Sequence, residues 1–171
     1  MHAKDILIEG YGRVREEVHS VVEGLGPGDL AARPSPEANS VAWLIWHLTR
    51  VQDDHVAGAF GLDQVWPAQG WERRFGLELP REDTGFGHGA AEVAKVRVDS
   101  GELLTGYYDA VHEQTLTALR ALAAGDLERV VDERWDPPVT LAVRLVSVLS
   151  DDLQHVGQAA YARGLLQTTA A

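Results

Sequence analysis

The stretch Val41-Ala42-Trp43-Leu44-Ile45-Trp46-His47-Leu48-Thr49-Arg50-Val51-Gln52-Asp53-Asp54 decides how this chain is read. It contains no proline or glycine, follows Asn39 and Ser40, either of which can cap a helix, and repeats Val41, Leu44, Leu48 and Val51 at spacings of three and four. That is the period of one helix face. The helix is expected to run from Val41 to about Ala57, closed by Gly58 and Gly61, with Trp43, His47, Arg50 and Asp54 along one flank.

Working outward, three more long helices follow from the same period. The first runs from Ala3 to about Leu25 on Leu7, Tyr11, Val14, Val18, Val21 and Leu25, and ends among Gly24, Gly26, Pro27 and Gly28. The third follows Asp99-Ser100 on Leu104, Tyr108, Val111, Thr115, Ala118 and Leu122, and stops at Gly125. The fourth begins after Pro137-Pro138 and runs from about Thr140 to Arg163, with Gly164 at the left-handed cap position. Its apolar stripe reads Val146, Leu149, Leu153, Val156 and Ala160, with Asp151 and His155 roughly opposite, while Val148 and Ala159 widen the buried arc toward His155.

With no strand pattern and no repeat, the chain reads as an all-α, single-domain four-helix bundle over residues 1–171. Its long connection between the second and third helices is glycine-rich and aromatic, and is read as a partly helical flap carrying Trp66, Trp71 and Phe75. That length leaves simple up-down-up-down order open.

Composition narrows the function classes. The 171 residues are 45% hydrophobic and 24% charged, ordinary globular proportions. A net charge of −11 without a basic patch argues against nucleic-acid binding. No apolar run approaches a membrane span, and Met1-His2-Ala3-Lys4-Asp5 lacks signal-peptide order, so a cytoplasmic protein is expected. There is no cysteine, and any thiol chemistry requires an external thiol.

Asp151-Asp152-Leu153-Gln154-His155 supplies the chemistry. Residues four apart on a helix share a side, so Asp151 and His155 can face one divalent ion, with His47 as a third ligand from the second helix. Three protein ligands leave a position for water or substrate, the pattern of a catalytic site. His55 competes with His47, either as a ligand or as a core histidine, and Asp152, three residues from His155, competes with Asp151. His2, His19, His88 and His112 are read as surface residues, and the five tryptophans, Trp43, Trp46, Trp66, Trp71 and Trp135, as core or interface mass. Trp43, one turn before His47, is a pocket wall. Arg50 and Asp54 are candidates for substrate contact or for orienting a ligand, or form an exposed ion pair. A homodimer is compatible with these faces if Ile45 or Trp46 points outward.

Asn39 to Asp54, joined to Asp151-Asp152-Leu153-Gln154-His155-Val156-Gly157-Gln158, resembles the DinB/YfiT-like superfamily of four-helix metalloproteins, in particular its actinobacterial branch of mycothiol-dependent transferases. The resemblance extends over the helix order, Arg33-Pro34 and the long connection. It implies a divalent ion, zinc or nickel, on His47, Asp151 and His155, with Gln158 among the neighbouring residues. Most relatives carry histidine where this chain has Asp151; a carboxylate there is similar to the branch of mycothiol-dependent maleylpyruvate isomerase. The implied activity is transfer of mycothiol, as co-substrate, to a small electrophile, with no catalytic residue beyond the metal centre. Hydrolysis by a metal-activated water and a non-catalytic ligand-binding stress-response module are the alternatives.

Overall fold

A computed structural model describes residues 2–169, with side chains through residue 167. Helices dominate: α1 (Ala3–Val22), α2 (Pro27–Ala31), α3 (Val41–Phe60), α4 (Val65–Ala68), α5 (Trp71–Phe75), α6 (Ala90–Val93), α7 (Gly101–Ala121) and α8 (Leu141–Thr169). The four long ones, α1, α3, α7 and α8, form the bundle. None of the described helices is long and apolar enough to cross a membrane.

Side-chain contacts set the helix directions. Lys4 at the start of α1 donates to the carbonyls of Arg120 and Leu122 at the end of α7, so these two run antiparallel. Arg163, late in α8, donates to the Ser20 and Val21 carbonyls late in α1, so α1 and α8 run parallel. His47 of α3 faces His155 of α8 while His55 faces Arg144, an antiparallel order. It follows that α3 and α7 are parallel, as the contacts of Arg50 with Tyr107 and of Gln52 with Thr115 confirm. Parallel neighbours cannot be joined by a short turn, which explains the length of the connection between them.

α3 begins where Ser40 Oγ accepts from the Trp43 N–H at 3.1 Å, and ends at Gly61 in the left-handed region, φ 67°. Every residue from Val41 to Arg50 is buried, so this helix is the bundle's centre and not a one-sided surface helix.

Several expectations need correction. α1 stops at Val22, and α2 occupies part of the loop that follows, started by Pro27 at its first turn with the Asp29 carboxylate on the Gly26 N–H. A two-stranded antiparallel hairpin, β1 (Val130–Asp132) with β2 (Val139–Thr140), precedes α8 and leaves Trp135 64% exposed. α8 does not end at Gly164 but continues to Thr169. Its buried face is Leu141, Leu145, Val148, Asp152, Val156, Ala159 and Ala162, whereas Val146 and Leu153 of the expected stripe are exposed. Ile45 and Trp46 are buried, so neither points outward.

Candidate metal centre

That rotation of α8 decides the site. With Asp152 turned into the bundle, Asp151 and His155 on either side of it lie half-buried against α3, where His47 is buried. One ligand atom from each of His47, Asp151 and His155 lies within 4.8 Å of the others. Ligands about 2.0–2.1 Å from a tetrahedral ion are separated by roughly 3.3 Å, so small side-chain adjustments close the set around a cation. These three residues can hold a metal ion.

Their hydrogen bonds fit that role. His47 Nδ1 bonds the Thr84 carbonyl, and His155 Nδ1 bonds the Asp151 carbonyl at 2.9 Å. A carbonyl only accepts, so each Nδ1 carries the hydrogen and each Nε2 keeps its lone pair for a metal. Asp151 Oδ2 lies 3.4 Å from His155 Nδ1, whose hydrogen is aimed at the backbone instead. The oxygen is consequently buried without a hydrogen bond. A buried carboxylate oxygen without a donor between two imidazoles suits a cation. The rings of His47 and His155 meet edge-on at 4.7 Å, and Trp43 stacks on His47 at 4.5 Å.

The electrostatics agree. Burial lowers the His47 pKa, against the opposing pull of the Thr84 carbonyl, and keeps the ring neutral. At His155 burial also pushes downward, but the carboxylate and carbonyl of Asp151 outweigh it and raise the pKa. Burial pushes the Asp151 carboxyl up; the contact with the neighbouring His155 and that ring's charge do most to overcome it and lower the pKa.

The competing residues lie elsewhere. Asp152 is fully buried on the interior face of α8. His55 is not a core histidine: its side chain is 42% exposed, 3.7 Å from Asp54 and beside Arg144. Arg50 neither contacts a solvent-open groove nor pairs with Asp54. It is wholly buried, donating to the Asp83 carbonyl, Gln64 and Tyr107, and lies 3.5 Å from Asp53. Asp54 accepts from Gln64 at 2.7 Å, and Gln158 is exposed on α8.

Trp66, Trp71 and Phe75 are core residues rather than a movable cover. All three are buried and surround Tyr107, with ring centroids at 5.0, 5.7 and 5.8 Å. The segment that does press on the site is 83–88, with the Gly85 backbone against His47, Trp46 and Trp43. His88, expected at the surface, stacks on Trp46 with a side chain only 6% exposed, and His112 is buried beside Tyr108. Asp53 also escaped sequence reading: it accepts from the Val65 and Trp66 N–H groups and from Tyr107, fastening the connection to α3. A glycine-flanked histidine and an acidic residue inside an apolar helix were the available signals.

A four-helix bundle with two histidines and a carboxylate converging from facing helices defines a class of bundle metalloproteins. Residues 11–159 match the DinB superfamily, and the chain belongs to it. It is also similar to a protein from Enterococcus faecalis whose crystal structure is described as that of a conserved protein of locus. The two share 34% identity and a TM-score of 0.90 over 96% of this chain and 97% of the other. No curated protein matches.

Proposed function

We propose that this protein is a metal-dependent transferase that activates a low-molecular-weight thiol for attack on a small electrophile, with mycothiol as the co-substrate that the sequence resemblance suggests. The observation that carries this reading is the convergence of His47, Asp151 and His155 within 4.8 Å, a donor set of two imidazoles and one carboxylate. Such a set suits zinc or nickel and leaves coordination positions for an exogenous group. When bound there, a divalent cation would convert a coordinated thiol to its thiolate at neutral pH.

The chain's own residues do the rest. His47 and His155 keep their Nδ1 hydrogens on backbone carbonyls, so neither ring rotates away from the site. Trp43 covers one face of His47 and excludes water from it. The absence of cysteine fits a mechanism whose sulfur comes from the co-substrate. Phe86, 92% exposed at the tip of the segment that presses on His47, offers apolar contact to the electrophile.

The test is conjugation of a chromogenic electrophile by zinc- or nickel-loaded protein with and without mycothiol. Turnover that needs both metal and thiol is expected and should vanish in His155→Ala. Hydrolysis of ester or amide substrates without any thiol would replace this reading with the metal-bound-water alternative.

A further inference from the structure

We propose that Asp83 and His88 are positioning residues that latch the segment 83–88 onto α3 and so select which nitrogen of His47 is presented to a metal. The inference rests on the metal-site reading above, but its direct evidence is a hydrogen-bond chain outside the ligand set. The indole Nε1–H of Trp43 donates to His88 Nδ1 at 3.1 Å. An indole N–H only donates, so Nδ1 of His88 is the lone pair and Nε2 carries the hydrogen, which it gives to Asp83 Oδ2 at 2.9 Å. The other carboxylate oxygen, Oδ1, accepts from the Gly85 N–H at 2.8 Å, and the Asp83 carbonyl accepts from the buried Arg50 Nε at 3.1 Å. One carboxylate thus holds both feet of the segment, and an arginine of α3 holds the residue that carries it.

Between those feet lies Thr84, whose carbonyl bonds His47 Nδ1. Without the latch, Gly85 and Gly87, both at positive φ, would leave the segment free to lift. The Thr84 carbonyl would leave with it, and either ring nitrogen of His47 would be open to protonation or to metal. The tip does not anchor the segment, since Phe86 is 92% exposed. His88 reaches inward instead, stacking on Trp46 at 6.1 Å and 19°. The side-chain hydrogen bonds of Asp83 and His88 run to Trp43, Gly85 and each other rather than to a ligand of the site, so their hold on the His47 ring passes through Thr84 and Trp43.

Three variants separate positioning from bulk stability. His88→Phe keeps the ring stacked on Trp46 and removes both polar contacts. His88→Gln keeps an acceptor for Trp43 and a donor for Asp83. Asp83→Asn preserves shape but presents the His88 Nε2–H with an amide in which only one oxygen remains, already used by Gly85. The first readout is the imidazole nitrogen spectrum of the metal-free protein, at a pH above the imidazole range. Wild type and His88→Gln should show His47 as a single Nδ1–H tautomer, whereas His88→Phe and Asp83→Asn should show a mixture. The second is zinc affinity by competition with a chromophoric chelator: a loss of roughly 10–100-fold in His88→Phe and Asp83→Asn, and of less than about threefold in His88→Gln.

The proposal is overturned if Asp83→Asn folds, keeps the single His47 tautomer and binds zinc like wild type. Should His88→Phe fail to fold, Asp83→Asn and His88→Gln decide alone. If wild-type protein shows the tautomer bias, with loss in Asp83→Asn, yet binds no zinc, the latch stands and the metal-dependent function fails.

Discussion

Gly85 and His47 meet so closely that no side chain fits between them: a Cβ on Gly85 would lie 2.8 Å from His47 Nδ1, 3.0 Å from the Trp46 ring and 3.1 Å from Trp43. The Gly85 backbone also has φ 89°, a region L-residues rarely adopt. Gly85→Ala should therefore cost about 1–2 kcal/mol from backbone strain alone and push the His47 ring off the Thr84 carbonyl. Chemical denaturation should register the first effect, and zinc titration a loss of affinity of roughly tenfold or more.

Metal affinity should fall with pH in two stages. A metal takes each imidazole unprotonated, so protons compete with it. The raised pKa of His155 makes its ring the first to protonate as pH falls, and the lowered pKa of His47 makes that ring the second. Affinity should drop about tenfold per pH unit through the first stage and more steeply through the second. In the metal-free protein the two rings pull stability in opposite directions: the lowered pKa of His47 gives stability that is lost as pH falls through the histidine range. A raised His155 pKa gives stability that is present below the unfolded histidine value and lost as pH rises through the folded one. Competition titrations and melting curves over the same pH series check both signs.

Asp152 is wholly buried, and neither carboxylate oxygen has a hydrogen-bond partner. Burial, with the nearby Asp151 charge, raises its pKa well above the usual carboxylate value. Protonation then favours the folded state below the unfolded carboxylate pKa, and that contribution is lost as pH rises through the folded value. Asp152→Asn removes the ionisation, so the variant should gain stability at neutral and alkaline pH, on the order of 1–3 kcal/mol, with the advantage shrinking in acid. Melting temperatures across that range, at about 2–4 °C per kcal/mol, give the answer.

Phe75 distinguishes a core connection from a lid. It packs against Trp66 at 5.1 Å and Tyr107 at 5.8 Å. Phe75→Ala should destabilise the protein by about 3–5 kcal/mol, measured by urea unfolding, while metal affinity of the folded fraction stays at the wild-type value. A lid residue would give the reverse pattern.

The helical period made most of the fold legible. Leu7, Tyr11, Val14, Val18 and Val21 in α1, and Leu104, Tyr108, Val111 and Thr115 in α7, are all buried as their spacing indicates. α8 misled because it is apolar on two sides: Val146 and Leu153 face outward as readily as Leu145 and Val148 face inward. Periodicity counts residues on a face but does not say which face meets a neighbour. The same ambiguity put Asp151 and His155 roughly opposite the expected apolar stripe, although their four-residue spacing already set them on one side of the helix.

From the chain alone come the helices, the glycine-rich connection, the lack of an internal thiol and the four-residue spacing of Asp151 and His155, because each depends only on residues near one another in sequence. The tertiary structure decided which side of α8 is buried, that α3 and α7 run parallel, and that Arg50, Asp83 and His88 secure the segment over His47. Those outcomes depend on which helices pack together and on where buried polar groups find partners, and both are settled by contacts between residues far apart in the chain.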